Sequence, residues 1–404
     1  MTYKFQLPNG IRCVCQRVKS TVVYCGMTIG AGSRDESKDE YGMAHLIEHS
    51  LFKGTRKRKA YHINNRLENL GGELNAFTTK EETVVHATTL KTDFSKAAEL
   101  IADVVFNSVF PQTEVEREKE VILDEINSYK DSPGERIFDD FEDRIFAGSS
   151  LGHNILGNKK AISRYTSADI VNFVNRTYNT DRMVFSCVGN ISEKHFREVC
   201  TRYFSSAISK PSLPGRDIVK SAPAFQEIIK RSTFQAHCVL GVPAYGYTDE
   251  KRFPLSLLVN MLGGMSANSI LNTAVREKNG LAYNIEAGYT AFYETGAVTI
   301  YFGTERDNLD KCLELVGKEI RKIISGDITQ RRLSVAKKQF IGQLFISNEM
   351  GEGLMLGAGK SYLVYDDVDP VEKIAQRVNS ITLNDLTEAA KEVFGGGMSS
   401  LIYK

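Results

Sequence analysis

Residues 45 to 49 read His45-Leu46-Ile47-Glu48-His49, within the helical stretch Gly42-Met43-Ala44-His45-Leu46-Ile47-Glu48-His49. On a helix at about 100° per residue, two histidines four apart fall about 40° from each other, and Glu48 lies about 60° from His45 on the same side. Two neutral imidazoles so placed can grip one Zn²⁺, with a carboxylate beside it to handle a proton. The plainer alternative is an amphipathic helix whose histidines bind nothing, and the residues around the pentad weigh against it.

A catalytic zinc takes a third protein ligand from another element and leaves a fourth position open. The acidic segment Thr113 to Lys130 has helical period, with Val115, Ile122, Ile126 and Tyr129 on one stripe. Glu118 and Glu125 share that stripe, while Glu116, Glu120 and Asp124 lie opposite. A carboxylate aimed at a core must be paired or bound to metal. A buried salt bridge to Lys or Arg therefore stands as the alternative for each.

The flanks extend the pattern through Leu7-Pro8-Asn9-Gly10, Gly30-Ala31-Gly32-Ser33-Arg34-Asp35-Glu36, Leu51-Phe52-Lys53-Gly54-Thr55 and Gly71-Gly72-Glu73-Leu74-Asn75-Ala76-Phe77-Thr78. With the H-x-x-E-H order, the reverse of the commoner H-E-x-x-H, the chain resembles the M16 (pitrilysin/insulinase, inverzincin) zinc metallopeptidases. Its length is that of the short bacterial type, similar to the mitochondrial processing peptidase β subunit. The resemblance implies a zinc-dependent endopeptidase acting on unfolded peptides, with one Zn²⁺ per chain held by His45, His49 and Glu125. Glu48 would be general base on the zinc-bound water, and Glu118 would support the site from behind. Asn75, Ala76 and Phe77 would receive substrate as an added strand. Arg276 and Tyr283, separated by six residues, match a pair that would steady the oxyanion or the substrate backbone. Ser50 departs from the usual Met and His86 from the common Tyr; neither removes a ligand, and His86 bears on the substrate groove.

The 404 residues are 42% hydrophobic and 25% charged with a net charge of +1, a soluble composition that favours neither nucleic acid nor an acidic membrane. The N-terminus has no secretory h-region and no apolar run is long enough to span a membrane. Seven scattered cysteines read as reduced, buried thiols, so the expected location is cytoplasmic.

Pro214, Gly215 and Pro223 mark a linker, giving domains 1–211 and 224–404 around 212–223. The halves look alike. The strand-then-helix passage Thr83 to Ile101 recurs at an offset of 215 from Ala297 to Val316, with Lys96/Lys311, Glu99/Glu314 and Leu100/Leu315 shared. The expected fold is α+β: two duplicated domains, each a mainly antiparallel sheet packed with helices. The glycine-rich stretch Gly353 to Ser361 has Leu354 where a phosphate-binding loop needs its first glycine, and reads as an irregular segment between helices. The resemblance further implies a homodimer, or a heterodimer with a paralogous chain. The rival functions are a non-catalytic core or partner subunit of such an assembly and a zinc module without chemistry.

Overall fold

The computed structural model describes residues 1–209 and 216–404, so positions 212–215 of the expected linker lie outside the described residues. Six strands form the first sheet: β1 (Thr2–Gln6), β2 (Arg12–Arg17), β3 (Val22–Ile29), β4 (Glu73–Thr78), β5 (Thr83–Leu90) and β6 (Met183–Gly189). Five form the second: β7 (Gln226–Ile229), β8 (Ala236–Tyr245), β9 (Ala282–Ala291), β10 (Thr295–Thr304) and β11 (Ser399–Tyr403). Their orders are β1-β2-β6-β3-β5-β4 and β7-β11-β8-β10-β9. One pair in each sheet is parallel, β2 with β6 and β7 with β11, and the remaining pairs are antiparallel.

The duplication reaches fine detail. One-turn 3₁₀ helices at Lys91–Asp93 and Arg306–Asn308, 215 residues apart, start the helices Phe94–Asn107 and Leu309–Ile324. Capping boxes of Thr166 with Asp169 and Thr382 with Asp385, 216 apart, start Ser167–Thr177 and Leu383–Phe394. Each box satisfies helix-start N–H groups that would otherwise lack an acceptor.

The compact units differ from a single cut of the chain. One comprises Met1–Asn127, Asn154–Asp217 and Ser347–Asp369; the other comprises Ser128–His153, Ile218–Ile346 and Pro370–Lys404. The helix Gly351–Tyr365, from the second half of the sequence, packs on β2, β3 and β6 of the first unit. Its counterpart Pro133–Ile145, from the first half, packs on β8 and β11 of the second. Thus Val14 and Val184 are buried under Ala358 and Tyr362, and Val239, Leu401 and Tyr403 under Ile137 and Phe141. The other sheet faces meet the larger cores, with Cys13, Cys15, Cys25 and Cys187 in the first. All seven cysteines are buried and free. No helix among the described residues is long and apolar enough to cross a membrane.

Gly353 to Ser361 is regular helix, a correction to the irregular segment expected from its glycines. Small residues let this helix lie close to the sheet: a Cβ on Gly359 would come within 2.5 Å of Thr28 Oγ1. The strand glycines Gly26 and Gly241, 215 apart, do the same from the other side. A Cβ on Gly26 would lie 3.2 Å from Met355 Sδ, and one on Gly241 2.7 Å from both the Phe141 ring and the Val298 carbonyl oxygen. Gly241→Ala is therefore expected to destabilise the protein by about 1–3 kcal/mol through overpacking, read as a lower Tm. An unchanged Tm would mean that the helix and Val298 yield freely.

Candidate metal and active site

The helix Met43–Ser50 is fixed at its start by Glu36. That buried carboxyl group accepts hydrogen bonds from the Gly42 N–H at 3.0 Å and the Ala44 N–H at 2.8 Å, in place of a side-chain N-cap. Burial pushes its pKa well above the ordinary range, while the two N–H groups pull the other way. Gly42 adopts φ +90°, and a Cβ there would meet Ile162 Cδ1 at 2.7 Å, so the turn into the helix calls for glycine. Met43, Leu46 and Ile47 then anchor the helix in the core, leaving His45 and His49 edge to face with centroids 4.6 Å apart.

Glu125 comes from the helix Gln112–Lys130. Its Oε2 lies 3.7 Å from His45 Nε2 and 3.7 Å from His49 Nε2. Among the described residues, His45, His49 and Glu125 are the one group of three with metal-ligating atoms, all within 4.8 Å of one another. Tetrahedral Zn²⁺ with bonds of about 2.1 Å sets its donors about 3.4 Å apart, close to these separations. Burial first, and His49 second, lower the His45 pKa to about 4, which keeps the imidazole in the neutral form a metal requires. The donor set fits a zinc ion, and the exposure of Glu125 leaves room for water or substrate.

Glu118 is buried and satisfies both readings of its position: Oε1 pairs with Lys53 Nζ at 2.7 Å, and Oε2 lies 3.3 Å from His49 Nδ1. An ionised carboxylate can only accept, so Nδ1 carries the proton and Nε2 presents its lone pair toward Glu125. His45 has no such orienting partner among the described residues, where its buried Nδ1 makes no hydrogen bond. Glu116, Glu120 and Asp124 are exposed, as the wheel requires, but Glu125 is exposed too, so of the two acids on the apolar stripe only Glu118 is buried. The Glu48 carboxyl group sits above its usual pKa because of burial, opposed by Thr78 and His49 and reinforced by Glu125. That shift suits a group that must take up a proton and release it again.

Asn75, Ala76 and Phe77 lie on β4, the sheet's edge, which among the described residues pairs only with β5. The helix Met43–Ser50 packs against this strand, whose outer edge has no strand partner among the described residues and meets the Glu48 carboxyl group through the Thr78 backbone. His86 stands opposite Asn75 in the register, with Nδ1 3.1 Å from Glu352.

Arg276 and Tyr283 belong to the other unit and lie together there, the guanidinium 5.8 Å from the ring centroid. Arg276 is the last residue but one of the segment Asn272–Glu277, after which Gly280 turns the chain at φ +60°. Tyr283 falls where the β9–β10 register shifts, between Ala282 and Asn284, and this bulge leaves it 82% exposed. Glu36, Lys53 and Glu352 were not singled out by the sequence reading. Only Glu36 left a trace, an acid six residues ahead of the helix-start glycine.

A family model described as Insulinase (Peptidase family M16) matches residues 12–159, and one described as Peptidase M16 inactive domain matches residues 164–340. The uncharacterized zinc protease YmxG of Bacillus subtilis is 31% identical over 400 residues, covering 98% of this chain and 96% of the relative. The chain belongs to the M16 peptidase family. An uncharacterized zinc protease of Streptomyces coelicolor is 33% identical over 398 residues, covering 96% of this chain and 86% of its own length. The M16 fold is matched by the crystal structure of a protease from Helicobacter pylori, with TM-score 0.92 and 22% identity over 100% of this chain and 99% of that one. A Pseudomonas fluorescens structure titled as a peptidase M16 inactive domain gives TM-score 0.91 at 21% identity, over 100% and 97%. The part matched by the M16 inactive-domain model contributes none of the three clustered ligands.

Proposed function

We propose that this M16 chain is a zinc-dependent endopeptidase for unfolded peptides. The observation that carries the reading is the convergence of His45, His49 and Glu125 with Glu48 on the same helix, beside an open strand edge. His45, His49 and Glu125 would hold one Zn²⁺, which when bound supplies Lewis-acid activation of water and of the scissile carbonyl. Glu48 takes the proton of the attacking water and later passes it to the departing nitrogen. Glu118 holds the His49 ring in the tautomer that ligates. The edge of β4 receives the substrate backbone by main-chain hydrogen bonds, a mode tolerant of many side chains that requires an extended chain. Purified protein is expected to cleave a fluorogenic unstructured peptide and to lose that activity to a zinc chelator, with recovery on zinc addition. Cleavage that persists in the metal-free protein would overturn the reading.

The rival, a partner subunit without chemistry, has no use for a complete ligand set with a carboxyl group tuned beside it. We further propose a two-fold homodimer in which each chain lends Arg276 and Tyr283 to its neighbour's site, as donors to the oxyanion or to the substrate backbone. The exposure of Tyr283 and the pairing of the two side chains support this. Mixing inactive Glu48→Gln chains with inactive Arg276→Ala chains is then expected to restore part of the activity, because some mixed dimers hold one complete site. A mixture that stays inactive after verified subunit exchange would exclude the arrangement.

A further inference from the structure

The two faces of the edge strand β4 differ. Leu74 and Ala76 pack against the larger core, and Glu73, Asn75 and Phe77 alternate with them toward the opposite side. On that side Glu73 and Asn75 are exposed and Phe77 is half-buried. His86, directly opposite Asn75 on β5, projects the same way. So does the start of the helix Gly351–Tyr365, pressed so close to β3 that a Cβ on Gly351 would overlap the Tyr24 ring. The next residue is Glu352, and its Oε1 lies 3.1 Å from His86 Nδ1. The Phe77 ring meets His86 edge to face, with centroids 6.0 Å apart. All of these residues belong to the unit that carries the metal ligands.

Glu352 is half-exposed, and among the described residues His86 is its one ionic or hydrogen-bond partner. Burial lowers the His86 pKa against the pull of Glu352, so the ring is neutral near pH 7. Its Nδ1–H donates, and the carboxylate keeps its negative charge. Glu73 adds a second carboxylate to the same side. No Lys or Arg occurs in β3, β4 or β5 to offset them. Lys360, two turns further along the helix, is committed to Glu82 at 2.8 Å.

We propose that this face selects substrates by a basic side chain, with Glu352 as the residue that sets the preference. The inference rests on the peptidase reading above, in which substrate pairs with the outer edge of β4. A strand added there sends alternate side chains to each face of the sheet. The one opposite Asn75 stands two strand spacings, about 10 Å, from the His86 backbone, and Asn75 is too short to fill the interval. An Arg or Lys stem crosses it with its methylenes beside Phe77 and brings its charge to Glu352. An acidic side chain there meets Glu352 and Glu73 as like charges. Arg gains more than Lys, because its planar fork matches a carboxylate. The metal ligands come from the first half of the sequence and the selecting carboxylate from the second.

The test uses short unstructured peptides of uncharged residues with Arg, Gln or Glu placed at one position at a time, and product masses to fix the register. The full-length wild type is expected to favour the Arg peptide over its Glu counterpart by about tenfold in kcat/KM, at alternate positions of the register. Glu352→Gln should shrink that ratio to about threefold or less, Glu73 being left in place, and Glu352→Arg should invert it. Fluorescence anisotropy of the same peptides on zinc-loaded Glu48→Gln protein should give Kd values in the same order without turnover. No charge preference in the wild type, a ratio unchanged in Glu352→Gln, or equal Kd values for Arg and Glu peptides would overturn the proposal and leave the peptidase reading standing. Absence of cleavage with the charge order kept in Kd would support the selection by charge and overturn the peptidase reading instead.

Discussion

Glu48→Gln is expected to keep about one Zn²⁺ per chain while peptide turnover falls by about 10²- to 10⁴-fold. The amide has the size and shape of the carboxyl group but cannot accept the water proton. Glu48 is not among the clustered ligand atoms, so metal content should stand. Its raised pKa follows from burial beside Glu125, and the amide removes a charge from that place rather than adding one, so the helix should remain folded. Metal analysis and turnover measured on the same preparation separate the roles. Near-normal turnover would remove Glu48 as the base, and loss of zinc would make it a ligand.

Glu125→Ala is expected to reduce zinc affinity by several orders of magnitude and abolish peptide cleavage. Two neutral imidazoles remain, which is one donor short of a catalytic zinc site and lacks its only negative ligand. The side chain is exposed and reaches the histidines from another helix, so its removal leaves no buried charge and the fold should be unaffected. Glu118→Ala should differ in degree, weakening zinc by about 10–100-fold, since His49 keeps Nε2 and loses only its orienting acceptor. That variant also strips Lys53 of its partner, so some loss of stability should accompany it. Stoichiometric zinc in Glu125→Ala would show that the third ligand lies elsewhere.

The clustering of His45, His49 and Glu125 was legible because helical spacing converts position into direction. His45, Glu48 and His49 needed only the local period, and Glu118 and Glu125 were marked as acids on an apolar stripe. What the stripe could not show was that Glu118 serves Lys53 and His49 together, because the lysine comes from a different element. Duplication was visible in the strand and helix following residue 83, and its strand topology followed. The exchanged helices were not visible. Nothing in the pattern of Pro133–Ile145 or Gly351–Tyr365 says which sheet each covers, since an apolar face has no address. The relevant signal was the paired strand glycines Gly26 and Gly241, whose missing side chains admit those helices. Gly353 to Ser361 misled for the same reason, because residues chosen for close approach resemble residues chosen for a loop.

The reciprocal loan of one helix bears on how the polypeptide matures at the ribosome. When residue 211 has emerged, β2, β3 and β6 can assemble, but the helix that shields Val14 and Val184 still awaits translation. A nascent half therefore carries a bare hydrophobic face through some 140 further residues of synthesis, a window in which non-native association is the physical hazard. Closing each sheet demands partners more than 100 positions away in sequence, which slows the search for the native state. A gene divided at the linker would therefore encode two halves, each without the helix that covers one face of its sheet.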